Sequence, residues 1–207
     1  MTPRLFRPPV FLRWIYPGAL FRMRTSRKEL CLTFDDGPDP ATTPELLAIL
    51  SGYNVKALFF CKGEAAARYP DLVKKILEEG HMTGNHGYEH ISGWRTGTGK
   101  YIENAEHASL FIPGNFFRPP YGRLSPFQYL KIRHKYKIVF WDLMLYDFDE
   151  SFGAARSLET FRKYIRKGSV IVLHDRPGSS AGMILPPLLE FASGEGYLFS
   201  LPERQKD

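Results

Sequence analysis

From residue 29 onward, apolar runs of strand length alternate with longer amphipathic runs, and this alternation constrains the fold more than any other feature of the chain. ELCLTF (29–34), KALFFC (56–61), a short run at 81–84, FFR (116–118), KIVFWDL (137–143), SVIVLH (169–174) and YLFSL (197–201) read as seven strands. Between them lie helical patterns. TPELLAIL (43–50) begins with Thr43 as a cap and Pro44 at its first position. In YPDLVKKILEEG, Leu72, Val73, Ile76 and Leu77 recur at helical spacing, charged residues take the other side, and Gly80 ends the run. Further helices are expected at 99–111, 125–135, 158–166 and 184–191. Such interleaving predicts an α/β protein with a parallel sheet, and the strand count is nearer a closed barrel than an open sheet.

At 207 residues and 43% hydrophobic, the chain supports one sizeable core. The expected division is an arm at 1–27, a globular domain at 28–202 and a polar tail at 203–207. The formal charge of +6 belongs to the arm: residues 1–28 hold Arg4, Arg7, Arg13, Arg22, Arg24, Arg27 and Lys28 and no acid, leaving 21 basic against 22 acidic residues elsewhere. A nucleic-acid-binding body is therefore not expected. The arm also carries Phe6, Phe11, Trp14, Tyr16 and Phe21, so its aromatics are expected to pack under the domain, with an anionic membrane surface as the alternative. Its apolar portion, VFLRWIYPGAL, is broken by Arg13 and Pro17 and lacks a small-residue cleavage site, which favours a cytoplasmic location. No stretch approaches the roughly 20 apolar residues of a membrane span. Cys31 and Cys61 read as buried free thiols, and a monomer is expected.

Chemistry in an α/β barrel gathers where strands hand over to the following loops. Here those positions carry Asp35 and Asp36, His86, Arg118, Trp141 and Asp142 followed by Asp147, and His174 with Asp175. GNHGYEH spaces His86 and His90 by four, which on a helix would put both imidazoles on one face. It is not HExxH, since Gly87 stands in the place of the glutamate. With a carboxylate from another strand end, the pair would make a two-histidine, one-carboxylate set for a cation.

TFDDGP, H-x-x-x-H, RPPY, a Trp-Asp segment and LHD, in this order, resemble the polysaccharide deacetylase family with the NodB homology domain (carbohydrate esterase family 4), over about 28–201. The resemblance implies a distorted (β/α)7-type barrel with parallel strands, and hydrolysis of an N-acetyl group on an amino sugar using a divalent metal, zinc first, with cobalt or nickel as alternatives. By the same resemblance, Asp36, His86 and His90 hold the metal, and Asp35 is the general base, oriented by Arg118. The backbone N–H of Tyr121 meets the oxyanion, and His174, oriented by Asp147, protonates the leaving amine. Tyr121, Pro120, Phe148 and Leu173 form the substrate pocket. Family members often act at the cell envelope. Two positions depart from the pattern: Gly87 stands where Ser or Thr is usual, and Phe148 where Trp is usual.

Other readings share these residues. An ester acetyl group or a cyclic amide could be the substrate on the same scaffold. A non-catalytic glycan-binding module would use Tyr88, Trp94, Tyr121 and Tyr146 without metal. A two-histidine, one-carboxylate iron oxygenase leaves RPPY and His174 without a role.

Overall fold

The structure, a computed structural model, describes residues 4–202. The tail at 203–207 and the first three residues of the arm lie outside the described residues. The strands are β1 (Glu29–Asp35), β2 (Leu58–Cys61), β3 (Met82–Asn85), β4 (Phe116–Phe117), β5 (Lys137–Ile138), β6 (Leu143–Met144), β7 (Val170–His174) and β8 (Leu198–Phe199). The helices are α1 (Leu12–Ile15), α2 (Thr43–Gly52), α3 (Gly63–Arg68), α4 (Pro70–Glu78), α5 (Thr98–Ala108), α6 (Pro126–Ile132), α7 (Ala154–Tyr164) and α8 (Ala181–Gly194). None of them is long and apolar enough to cross a membrane.

The strands pair in parallel in the order β5-β4-β3-β2-β1-β7-β6, and β8 pairs with the start of β1. This is a distorted parallel barrel. The single strand expected at 137–143 is instead two short ones, β5 pairing with β4 and β6 with β7. One segment therefore supplies both edges of the sheet, and it has to leave one neighbour before it can reach the other. An unbroken apolar run gives no sign of that bend.

Side-chain alternation along β1 sets the inside and outside of the barrel. Leu30, Leu32 and Phe34 join the large core shared with α2 and α8, whereas Cys31 packs with Leu58, Phe60, Phe116, Val139 and Val170 in a second cluster. Thr33 and Asp35 share the parity of Cys31, and both contact Arg118. β7 obeys the same rule: Ile171 and Leu173 join the helix-facing core while Val170 packs with Cys31. The two cysteines are free and buried, and burial pushes both thiols well above their ordinary pKa.

Residues of the arm complete the barrel wall. Leu20 pairs with Val139, its N–H donating to the Ile138 carbonyl while the Phe140 N–H donates to its own carbonyl, both at 2.8 Å. Phe21 stacks on Phe140 at 4.7 Å, and the Tyr16 hydroxyl donates to the Leu124 carbonyl. Burying a ring such as that of Phe21 stabilises the fold by about 1.5–3 kcal/mol. The other aromatics of this segment are not all packed: Phe11 is exposed, and Trp14 is 81% exposed.

Candidate active site

Asp35 ends β1, Asp36 follows it directly, and their carboxylates face different partners. Asp35 lies inside the barrel, and its Oδ1 accepts a 2.6 Å hydrogen bond from Arg118 Nη1. Arg118 is 1% exposed, and all three of its guanidinium nitrogens donate hydrogen bonds. Nη1 also donates to Thr33 Oγ1 at 2.7 Å, Nη2 to the Phe140 carbonyl at 2.9 Å, and the guanidinium lies 4.2 Å from the centre of the Phe60 ring. A buried charge held by this many partners has one orientation.

Strand alternation would turn Asp36 away from the interior, but its backbone adopts φ 82°, which breaks the alternation. Its Oδ1 comes within 3.5 Å of His90 Nε2 and 3.9 Å of His86 Nε2, and the two Nε2 atoms are 3.2 Å apart. The turn that follows admits no side chain at Gly37: a Cβ there would sit 2.1 Å from Asp175 Oδ2. The histidines stand on the loop after β3, not on a helix. Gly87 has φ 79°, its N–H donates to Asn85 Oδ1 at 2.8 Å, and the Tyr88 N–H donates to Asn104 Oδ1 at 2.9 Å. A Cβ at position 87 would meet Asn104 Oδ1 at 2.7 Å, so Ser or Thr would not fit this loop as it is folded.

The donor set suits one divalent cation. His86 Nδ1 donates to the Arg118 carbonyl at 2.8 Å, a bond a carbonyl can only accept, which leaves the Nε2 lone pair facing His90 and Asp36. Burial, with His86 beside it, lowers the His90 pKa to about 4, so its ring is neutral near pH 7. Burial alone would raise the Asp36 pKa, but His86, His174, His90 and Lys62 outweigh it and the net shift is downward. Tetrahedral ligation at about 2.1 Å separates ligand atoms by about 3.4 Å. The three observed separations bracket that value.

On the other side, His174 Nδ1 donates to Asp147 Oδ1 at 2.9 Å, while Asp147 Oδ2 accepts from the His174 N–H at 2.7 Å and from Ser179 Oγ at 2.6 Å. Asp147 is 2% exposed. Burial alone would depress the His174 pKa, but the Asp147 carboxylate reverses the direction and the net shift is upward. Phe148 meets the His174 ring edge-on at 4.6 Å. Asp175 turns away from the site to accept from the hydroxyls of Thr42 and Thr43, both at 2.6 Å, and burial raises its pKa to about 6. Asp142 precedes β6 rather than following a strand, and it pairs with Arg166 and Ser169 instead of the site.

A cavity of about 440 Å³ joins these groups, lined by Asp35, Asp36, His86, His90, Arg118, Tyr121, Phe148 and His174 among others. Tyr121 adopts φ 58° and its ring lies 4.3 Å from that of His90. Two expected pocket residues do not contribute to the lining. Leu173 has the helix-facing parity of β7 and is sealed in the core, and Pro120 is buried beneath the turn while Pro119 faces the cavity. Lys62, Arg123 and Arg176, which no sequence motif singles out, also line it. Lys62 directly follows β2, so the strand-end argument applied to every strand would have found it.

A parallel barrel with a carboxylate–arginine pair, a three-donor cation site and a carboxylate–histidine pair around one cavity defines a barrel hydrolase with the donor set for a single divalent cation. The comparisons make this specific. The sequence profile of the polysaccharide deacetylase family matches residues 22–139. A peptidoglycan-N-acetylglucosamine deacetylase of Bacillus cereus is 37% identical over 161 residues, 74% of this chain and 58% of that protein. Another protein of the same name from that organism is 28% identical over 204 residues, 93% of this chain and 91% of that protein. The crystal structure of a peptidoglycan N-acetylglucosamine deacetylase in complex with 4-naphthalen-1-yl-N-oxidanyl-benzamide superposes with a TM-score of 0.83 at 30% identity, covering 93% of this chain and 94% of that one. The chain belongs to the polysaccharide deacetylase family, carbohydrate esterase family 4 with the NodB homology domain.

Proposed function

We propose that the chain is a metal-dependent hydrolase that removes N-acetyl groups from amino sugar residues of a glycan, of the peptidoglycan or chitooligosaccharide type. One observation carries this reading. A carboxylate fixed by arginine and a histidine fixed by carboxylate border the same cavity as the three-donor site, so groups able to take and give a proton reach one bound amide. The names of relatives of this family support the amino sugar as the acetyl carrier.

Asp36, His86 and His90 would hold the cation, with zinc the best match to two imidazoles and a carboxylate. When bound, it supplies a Lewis acid that lowers the pKa of a water and draws charge from the amide carbonyl. Asp35 takes the proton of the attacking water on Oδ2, the oxygen Arg118 leaves free, which lies 4.0 Å from His86 Nε2. Arg118 keeps that oxygen aimed at the cavity. The backbone N–H of Tyr121 donates a hydrogen bond to the carbonyl oxygen as negative charge develops on it. His174, charged through Asp147, gives its Nε2 proton to the amide nitrogen as the C–N bond breaks. Acetate and a free amine leave. Phe148 offers an apolar wall to the acetyl methyl.

The test is acetate release from N-acetylglucosamine oligomers by the zinc-loaded chain and by Asp35→Asn. The variant is expected to lose about 10²–10⁴-fold in rate, the usual worth of a general base. Equal rates would remove Asp35 from this role, and no acetate from any N-acetylated saccharide would remove the reading.

A further inference from the structure

Four lysine and arginine side chains and two aspartates line the cavity: Lys62, Arg118, Arg123 and Arg176 against Asp35 and Asp36. Three of the cations have acidic partners. Arg118 is bound by Asp35, Lys62 Nζ lies 3.4 Å from Glu64, and Arg176 Nε lies 3.5 Å from Asp36 Oδ2. Among the described residues, the Arg123 guanidinium alone of the four has no carboxylate at ion-pair distance; its neighbours are two rings, Trp94 at 5.4 Å and Tyr121 at 5.8 Å.

Its placement is nonetheless built. The Arg123 N–H donates to the Pro120 carbonyl at 3.0 Å, and its own carbonyl accepts from Gly93 at 3.1 Å. Trp94 is tied down by its Nε1–H, which donates to the Leu124 carbonyl at 3.3 Å. Aromatic rings attract a guanidinium through their faces and leave its N–H donors free. Tyr121 also reaches the cation site, with its ring 4.3 Å from that of His90. A ligand seated on both His90 and Arg123 therefore spans the width of this one side chain.

A neutral glycan has no group that matches a half-buried, unpaired guanidinium in a cleft with an excess of positive charge, whereas a planar pair of anionic oxygens matches it through two parallel hydrogen bonds. We propose that Arg123 is a specificity-determining residue that recognises an anionic group, carboxylate or phosphate, carried by the saccharide beside the acetamido group that is hydrolysed. The proposal rests on the deacetylase reading for its turnover arm and on the cavity alone for its binding arm.

The experiment compares three N-acetylglucosamine-containing oligomers of equal length: neutral, carboxylate-bearing and phosphate-bearing. Acetate release by the zinc-loaded chain is expected to show kcat/KM at least about tenfold higher for an acidic oligomer at low salt, the lower end of what a charge-assisted hydrogen bond contributes. The advantage should sit in KM and shrink as salt rises. In Arg123→Gln the ratio of acidic to neutral should fall toward one, with Arg123→Lys in between. Calorimetric titration of the chelated, full-length chain repeats the comparison without turnover. The oligomer that carries the advantage names the anion. Acidic and neutral oligomers bound and hydrolysed equally by the parent chain would overturn the proposal while leaving the deacetylase reading intact, and so would an acidic preference unchanged in Arg123→Gln. Arg123-dependent binding without acetate release would do the reverse.

Discussion

Replacing Arg118 by Met removes a buried side chain that donates to four different residues and keeps much of its apolar volume. The change leaves the Asp35 carboxylate, 5% exposed, without its 2.6 Å donor, and strips the Phe140 carbonyl and Thr33 Oγ1 of a shared donor. Breaking a buried ion pair by removing one member costs about 3–5 kcal/mol, because the remaining charge stays out of water. For a chain of this size that is a fall in melting temperature of roughly 6–20 °C. The assay is urea unfolding followed by circular dichroism on the metal-free protein, so that loss of the cation does not enter. Asp35→Asn with Arg118→Met should cost less than the two single changes together, since the double variant leaves no unpaired charge. A loss below about 1 kcal/mol in Arg118→Met, or strict additivity, would refute the view that this pair is a desolvated charge couple.

Three further outcomes follow from named contacts. Asp147→Asn removes the group that raises the His174 pKa against burial, so the limb of the pH–rate profile where His174 loses its proton should move to lower pH, alongside a rate loss of about 10²–10⁴-fold; an unmoved limb would exclude His174 as the acid. His81 is buried with its pKa lowered to about 4, its Nδ1 accepting from the Ala57 N–H at 3.1 Å. Because the unfolded chain takes up this proton first, stability should fall as pH drops from about 6.5 toward 4, and in His81→Gln this part of the pH dependence should vanish in unfolding titrations. Phe21→Ala should cost about 3–5 kcal/mol, whereas Trp14→Ser on the exposed face should stay within about 0.5 kcal/mol in the same denaturation assay.

The strand-end carboxylates and histidines were legible because period-two patterning and turn residues locate strand ends, and a barrel brings those ends to one rim. Asp36 with His86 and His90, Asp35 with Arg118, and Asp147 with His174 all meet at that rim. What escaped has local causes. The four-residue spacing of the histidines suggested a helix, but Gly87 at φ 79° and the Asn85 side chain build a loop with the same reach. Leu173 sits beside His174 in sequence and on the opposite face in space, because neighbours on a strand alternate. The break within 137–143 depends on the two edges of the sheet, which no local pattern records. Arg123 and Arg176 are long side chains just after recognised motifs, and only the folded loops show that they reach the cavity.

The deacetylase reading requires one cation held by Asp36, His86 and His90 for acetate release. Its most direct test is a zinc titration of the metal-free chain during hydrolysis of an N-acetylglucosamine oligomer. The rate should rise from near zero and level off at about one zinc per chain, and His90→Ala should abolish that break point. Acetate released at full rate by the chelated chain, or an unchanged titration in His90→Ala, would contradict the account.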